Sequence, residues 1–551
     1  MRRAFLLLIL FPLCVWAEKP PLSAIATAHP LATEAGFEIL SAGGNAFDAA
    51  VAVTAVLGVV EPTGSGLGGG GFWLLHRAAD GYQTMLDGRE MAPGAAHRDM
   101  YLDEQGEVVP GLSIDGPLAA GIPGTPAALA HLASRYGKLP LSVTLAPAIR
   151  LAREGFPVDE SYRRMARFRL EALRRSPAAA AVFLDNGQVP TVRHQLRQPD
   201  LAVTLQAIAD RGGAGFYQGK VAEKLVEGVR RAGGIWTQAD LKNYQVVERT
   251  PITGRFGDIA VTSAAPPSSG GIALLTMLNI LGQYDLERLD KVTQIHLMVE
   301  AMRRAYRDRA QYLGDPDFTD VPVKRLVSPL YAAGLAAGIR LDRATPSSAL
   351  PGAVEPDGGT NTTHFSIIDR EGNRVAATLS INYPFGSGFV PPGTGVLLND
   401  EMDDFSAKPG VPNIYGLVGA EANAIAPGKR PLSSMTPTFL ESKRGVAVLG
   451  TPGGSRIITM LLLATLEYAA GGPPSDWVAK PRFHHQYLPD LIQFEPDALT
   501  GKEIAALQAR GHILKRLDRE YGNMQALLWD KRSRQVVAAS DPRGIGKADS
   551  R

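Results

Sequence analysis

The chemistry this chain can offer is concentrated in a run of hydroxyl side chains. Thr362-Thr363-His364-Phe365 begins a strand-like stretch, and Asp369-Arg370-Glu371-Gly372-Asn373 turns the chain into a second one, Arg374 to Ile381, so the spacing predicts a β-hairpin. If the loop holds an odd number of residues, three or five, the residue opposite Thr362 is Ser380 or Asn382; both then lie on its face while Ile381 points away. A threonine hydroxyl is a poor nucleophile unaided. An amino-terminal threonine carries its own base, because an α-amino group with an ordinary pKa of about 7.7 to 8.0 can take the hydroxyl proton near neutral pH. Thr362 gains that base only if the Asn361-Thr362 bond is cut. Residue type alone does not compel this, since β-propensity by itself places a Thr-Thr pair at the start of a strand.

Rival chemistries lack their local signatures. Gly64-Ser65-Gly66-Leu67-Gly68-Gly69 fits the glycine spacing of a dinucleotide site, but a helix pattern precedes it and the strand Phe72 to Leu75 follows, the reverse of the required order. A tight turn with close backbone packing is the expectation there. No phosphate-loop, HExxH, elbow-serine or Ser-x-x-Lys pattern occurs. His484 and His485 are adjacent and would face opposite ways on a strand, which predicts a structural role. Glu300 with Arg303 and Arg304, and Arg307 with Asp308, fall on a helical pattern, Val292 to Tyr312, where such charges form a solvated or salt-bridged face.

The elements that must position these hydroxyls come from a chain of 551 residues. At roughly 100 to 200 residues per domain that is two to four domains' worth of core, or one large fused unit. With 45% hydrophobic and 20% charged residues, disorder is excluded for most of the length. Lys and Arg number 57 against 55 Asp and Glu, a net charge of +2, too balanced for a general nucleic-acid binder. Helical patterns cover Phe47 to Val59, Thr125 to Tyr136, Val143 to Glu154, Leu201 to Arg211, Lys220 to Ala232, Gly271 to Leu281 and Val292 to Tyr312. Strand patterns cover Phe72 to Leu75, Ile259 to Ser263, Thr363 to Asp369, Arg374 to Ile381, Gly445 to Leu449 and Ala526 to Trp529, so the fold class is mixed α/β. Thr345 to Asn361 is polar and rich in breakers and reads as an exposed linker leading into the Thr362 strand.

The first segment reads as an address. Arg2 and Arg3 precede the apolar run Ala4 to Trp16, and Val15-Trp16-Ala17 offers small residues where a signal peptidase looks, so residues 1–17 are expected to be a signal peptide cleaved after Ala17. Export would place the protein in the periplasm or outside the cell, with no membrane association once the signal is removed. The sole cysteine, Cys14, lies inside that segment, leaving no disulfide, thiol catalyst or cysteine metal site in the mature chain.

Beyond these residues, a set of motifs strongly resembles the γ-glutamyltranspeptidase family. They are Asn361-Thr362-Thr363-His364-Phe365-Ser366, Asn399-Asp400-Glu401-Met402-Asp403-Asp404-Phe405-Ser406, Lys429-Arg430-Pro431-Leu432-Ser433-Ser434-Met435-Thr436-Pro437-Thr438 and Thr451-Pro452-Gly453-Gly454-Ser455-Arg456, with Asp87-Gly88-Arg89-Glu90 upstream. The resemblance covers essentially the whole mature chain. It implies an N-terminal-nucleophile hydrolase, a four-layer αββα sandwich made as one precursor. Self-cleavage at Asn361-Thr362 would give a large subunit, 18–361, and a small catalytic subunit, 362–551, that stay associated as a heterodimer. Thr362 would then attack the γ-carbonyl of glutathione or a similar donor, and water, an amino acid or a peptide would take the acyl group. No metal or organic cofactor is required by that chemistry.

The resemblance also distributes roles that suit such a substrate. Arg89 with Ser433 and Ser434 would grip the α-carboxylate, and Asp404, Glu401 and Asn382 would accept from the α-ammonium on the opposite side. Gly453 and Gly454 would supply oxyanion N–H groups, Ser380 would hydrogen-bond Thr362, and Tyr415, an exposed-looking aromatic in the Gly/Pro-rich stretch from Pro409, would cover the substrate as part of a mobile lid. Two other readings stay open at this point. A related amidase such as a cephalosporin acylase would share the nucleophile but take a glutaryl group lacking the ammonium, and a periplasmic binding protein would capture its ligand without being cut.

Overall fold

The hairpin forms, and the whole molecule is arranged around it. The computed structural model describes residues 18–350 and 362–551; residues 1–17, expected to be a signal peptide and holding Cys14, most of the linker and Asn361 lie outside the described residues. Thirteen strands build the two main sheets. In chain order they are β1 (Ala24–Thr27), β2 (Gly70–Arg77), β3 (Tyr82–Gly88), β4 (Val247–Arg249), β5 (Ile252–Phe256), β6 (Ile259–Ser263), β7 (Thr363–Ile368), β8 (Arg374–Ser380), β9 (Thr438–Glu441), β10 (Gly445–Gly450), β11 (Gln525–Asp530), β12 (Gln535–Ser540) and β13 (Lys547–Ser550). The first sheet runs β13-β1-β7-β8-β2-β3-β4 and the second β12-β11-β10-β9-β6-β5, with antiparallel pairing throughout.

The sheets pack face to face, β7 and β8 against β10 and β11. Helices α1 (Pro30–Ser41) and α2 (Ala46–Val60) cover the outer face of the first sheet; α3 (Gly270–Leu281), α4 (Lys291–Tyr312) and α5 (Ile457–Ala469) lie beyond the second. This is the four-layer αββα sandwich, with one apolar core under the first sheet's helices and another filling the space between the sheets and beneath α3 and α5.

Helix α2 shows why the nucleophile strand sits where it does. Its N-terminus is fixed by a capping box in which Asn45 Oδ1 accepts from the Phe47 and Asp48 N–H groups and Asp48 Oδ2 accepts from the Asn45 N–H. Asp369, at the far end of β7, accepts from the Ala46 N–H, a carboxylate placed at the positive end of the helix. At the other end Glu61, the C-cap residue, accepts a 2.6 Å hydrogen bond from the Thr363 hydroxyl. Its fifteen residues are all buried and, after Phe47 and Asp48, all small or branched, which lets α2 lie flat along β7 with both of its ends tied to that strand.

Alternation along β7 divides its side chains cleanly. Phe365 and Ile367 enter the core beneath α2, whereas His364 and Ser366 face the second sheet beside Thr378 of β8. A sandwich interior is ordinarily apolar at such positions. Here the polar groups satisfy one another: His364 Nδ1 lies 2.8 Å from Thr378 Oγ1 and its Nε2 lies 3.2 Å from Ser366 Oγ, which in turn donates to the Gln525 carbonyl. Burial pushes the His364 pKa down to about 3, so the ring is neutral. Gly450 makes room for it, since a Cβ there would lie 2.2 Å from the imidazole.

Candidate active site

Thr362 stands at the mouth of this polar stripe, one residue before β7, and is 8% exposed. The hairpin loop, Asp369 to Asn373, has five residues, and Leu379 pairs with Thr363; continued one step, the register sets Ser380 across from Thr362. The Gly64–Gly69 turn closes over the same spot. A Cβ on Gly64 would sit 3.2 Å from the Thr362 carbonyl oxygen, one on Gly69 would sit 2.1 Å from the Ser380 carbonyl oxygen, and one on Gly68 would sit 2.0 Å from that of Leu397. The turn is therefore a packing device, as its position between a helix and a strand predicts.

A small cleft opens beside Thr362 and is lined by Asn382, Asp404, Tyr415, Ser433, Ser434 and Gly454, with Leu417, Met435 and Ile457 adding apolar wall. Segments far apart in sequence supply these residues. Asn382 lies two residues past the end of β8 and holds φ at 69°, with its amide nitrogen donating to Asp400, which leaves the amide oxygen as the acceptor. Ser380 Oγ accepts from the Asn382 N–H at 2.7 Å and faces the Glu401 carboxylate. The 3₁₀ turn Glu401–Asp404 is buried apart from Asp404, so it is not a solvated acidic turn. Asp403 accepts from the Ser113 hydroxyl and the Ile414 N–H, and burial raises its pKa to about 6.

Arg89 departs from the arrangement expected of it. The family resemblance implies a cation and anions on opposite sides of a ligand, but here they touch: Arg89 Nη1 lies 2.8 Å from Glu401, Nη2 pairs with Asp404, and Glu90 is 3.6 Å away. The guanidinium is fully buried, and a buried charge must be paired within the fold. Burial works against its positive charge, yet Glu401, Asp404 and Glu90 outweigh that effect and hold it protonated. The converse holds for Glu401, which burial pushes up and Arg89 pulls down.

Tyr415 also differs. It is buried, 4% exposed, with its hydroxyl donating to the Asn382 carbonyl at 2.6 Å. Its ring rests on Gly454, where a Cβ would come within 2.8 Å of it. The loop is pinned further by Asn413 donating to Asp404 and Gln486 donating to the Gly416 carbonyl. An aromatic residue amid glycines and prolines looks exposed in sequence because the surface that receives it comes from β8 and from the turn after β10. That turn, Gly453-Gly454, uses φ values of 145° and 55°, and among the described residues no backbone carbonyl takes either N–H.

Three features of the surroundings were not legible as site residues. Arg309 of α4 donates to Ser269 Oγ and to Ser434 Oγ at the cleft wall. Glu61 touches Thr363, and burial raises its pKa to about 7. On α4 the charges read as a solvated or salt-bridged face are buried: Glu300 pairs with Arg304 at 2.5 Å and with Arg303, which also pairs with Asp490. A helical charge pattern does not reveal that residues 323–350 and the segment around His485 cover it. His296, Glu300 and His512 have donor atoms within 4.8 Å of one another, a spacing a metal ion could use, but Glu300 is committed to the two arginines and the histidines lie 2.8 Å apart, nitrogen to nitrogen. His484 and His485 are likewise buried in structural contacts, with Thr459 and Gln486 and with Asp490 respectively.

Comparison with known proteins agrees in sequence and in fold. A family model described as Gamma-glutamyltranspeptidase matches residues 32–550. The glutathione hydrolase proenzyme of Escherichia coli (strain K12) is 42% identical over 533 residues, covering 95% of this chain and 90% of that one. Its counterpart in Pseudomonas sp. (strain A14) is 43% identical, with 90% of each covered. Among solved structures, a cephalosporin acylase from Bacillus halodurans superposes with a TM-score of 0.83 at 30% identity over 98% of this chain and 97% of that one. A γ-glutamyltranspeptidase chain from Helicobacter pylori gives 0.58 at 41% identity over 59% of this chain and 93% of that one.

Proposed function

The chain belongs to the γ-glutamyltranspeptidase family, and from that premise we propose that it is a self-processing γ-glutamyltransferase and glutathione hydrolase that works through an acyl intermediate on Thr362. The Thr362 hydroxyl attacks the carbonyl of Asn361, and hydrolysis of the resulting ester releases a new amino terminus, giving chains 18–361 and 362–551 that remain together as a heterodimer. The freed α-amino group then takes the hydroxyl proton as Thr362 attacks the γ-carbonyl of the donor. The N–H groups of Gly453 and Gly454, at the turn leading into α5, stabilise the oxyanion. Water, an amino acid or a peptide resolves the acyl-enzyme.

The observation that carries this reading is the shared cleft: a strand-leading threonine, with a serine across the register, opens onto two serines, the Asp404 carboxylate and a glycine turn. Ser433 and Ser434 with Arg89 receive the α-carboxylate, and Asp404, Glu401 and the Asn382 oxygen receive the α-ammonium. Tyr415 covers the bound donor. Relatives named as proenzymes support the processing step, and the signal-like segment 1–17 supports work in the periplasm or outside the cell. Among the described residues no helix is long and apolar enough to cross a membrane.

The likeness to a cephalosporin acylase supports a second reading in which the donor is a glutaryl amide. Asp404 favours the first, because its carboxylate, although paired with Arg89, also lines the cleft and stays partly accessible to a donor's ammonium. The purified enzyme should turn over γ-glutamyl-p-nitroanilide far faster than glutaryl-p-nitroanilide. Equal rates would favour the acylase.

A further inference from the structure

Two guanidinium groups stand behind the cleft, and they are partnered in opposite ways. Arg89 is surrounded by Glu401, Asp404 and Glu90. Arg309, 4% exposed, has no carboxylate within ion-pair distance among the described residues; its nitrogens donate to two hydroxyls, Ser269 Oγ at 3.1 Å and Ser434 Oγ at 3.3 Å. Ser269 in turn donates through both its N–H and its hydroxyl to the Ser433 carbonyl, each at 2.8 Å, so Arg309 braces both serines of the cleft wall. Burial lowers the Arg309 pKa only to about 10, and the group stays charged at neutral pH. A buried cation held by two hydroxyl oxygens, with Asp404 attracting it only from beyond ion-pair distance, is a costly arrangement, and it becomes more favourable when an anion arrives beyond those hydroxyls.

We propose that Arg309 is a positioning residue for the donor's carboxylate: acting through Ser434, it supplies the less compensated positive charge that selects donors bearing an α-carboxylate, while the charge of Arg89 is largely spent on its own acidic neighbours. A guanidinium behind Ser434 orients the hydroxyl with its lone pairs toward the arginine and its proton toward the ligand. The inference rests on the γ-glutamyl reading above and adds a residue to it.

Three p-nitroanilides separate the charges of the donor. The γ-glutamyl compound carries carboxylate and ammonium, the glutaryl compound only the carboxylate, and the 4-aminobutyryl compound only the ammonium. For Arg309→Gln, KM should rise roughly tenfold for the first two, with kcat within about twofold, and stay unchanged for the third. A uniform change across all three, or none, would overturn the proposal. Self-cleavage reports that the variant has folded. Should Arg309→Gln fail to self-cleave, Arg309→Lys carries the same comparison, since a lysine keeps the charge but lacks the two separate nitrogens that reach Ser269 and Ser434: a smaller rise confined to the two carboxylate donors supports the proposal, and a uniform change or none overturns it. If the wild type itself fails to use γ-glutamyl donors, the functional reading falls; if it uses them and the variants act uniformly, only the role of Arg309 falls.

Discussion

At the scale of single residues, the decisive feature is how charge is distributed around the cleft. Asp404 is the most exposed member of the acidic set around Arg89, its side chain 13% accessible against 1% for Glu401 and none for Glu90, which makes it the carboxylate best placed to meet an incoming ammonium. Asp404→Asn removes a charge-assisted hydrogen bond typically worth about 1.5 to 3 kcal/mol, or roughly 10- to 150-fold in kcat/KM if the loss is fully expressed in the transition state. Because Asp404 also pairs with Arg89, the variant frees part of that guanidinium, but this alters the grip on any carboxylate donor alike. The ratio of γ-glutamyl to glutaryl turnover should therefore collapse while self-cleavage continues, measured at a pH where the donor amine is protonated. A ratio equal to that of the wild type would remove Asp404 from ammonium recognition. Most residues of this site are legible in the sequence through their motifs, and Ser380 through strand alternation alone. The contacts between Arg89 and its acids, the burial of Tyr415 and the place of Arg309 are not, because each depends on which distant segment covers a side chain.

At the scale of elements, α2 and β7 act as one unit tied at both ends, and the tie beside Thr362 is titratable. Burial raises the Glu61 carboxyl from 4.5 to about 7, against the lowering effect of the Thr363 hydroxyl and with a nearby Asp159 adding to the rise. Its place at the C-terminal end of a helix opposes a negative charge as well. A carboxyl whose folded pKa lies above its unfolded value binds its proton more tightly in the folded protein, so its contribution to stability is fully present below about pH 4.5 and is lost as pH rises toward 7. Glu61→Gln keeps an acceptor for Thr363 and removes the titration. The melting temperature of the variant relative to the wild type should thus climb across that window, and a difference that stays constant with pH would show that Glu61 does not titrate there. Elements of this kind are well predicted: the seven helical and six strand patterns all appear, with ends shifted by a residue or two, except that Val143 to Glu154 splits at Leu145 into two helices, where Pro147 removes an N–H. What periodicity cannot supply is the order of strands in a sheet, since β1 and β13, from opposite ends of the chain, pair beside β7.

At the scale of the whole molecule, the two chains proposed for the mature enzyme are interleaved within single sheets. Strands β7 and β8 of the catalytic portion lie between β1 and β2 of the large one, and β5 and β6 extend the sheet formed by β9 to β12. Cutting before Thr362 would leave that hydrogen-bonded scaffold whole, which is why the pieces should hold together without a covalent bond. The four-layer arrangement itself was implied by the family resemblance, not by composition or periodicity, because face-to-face packing of two sheets leaves no signature in local sequence beyond alternation. The central claim is that Thr362 is both the agent of cleavage and the nucleophile it unmasks. Mass spectrometry of the intact, denatured protein tests it most directly: the wild type should give two masses, matching residues 18–361 and 362–551, and Thr362→Ala a single mass matching 18–551, whereas a Thr362→Ala protein that still splits at that bond, or a wild type that never does, would contradict the account.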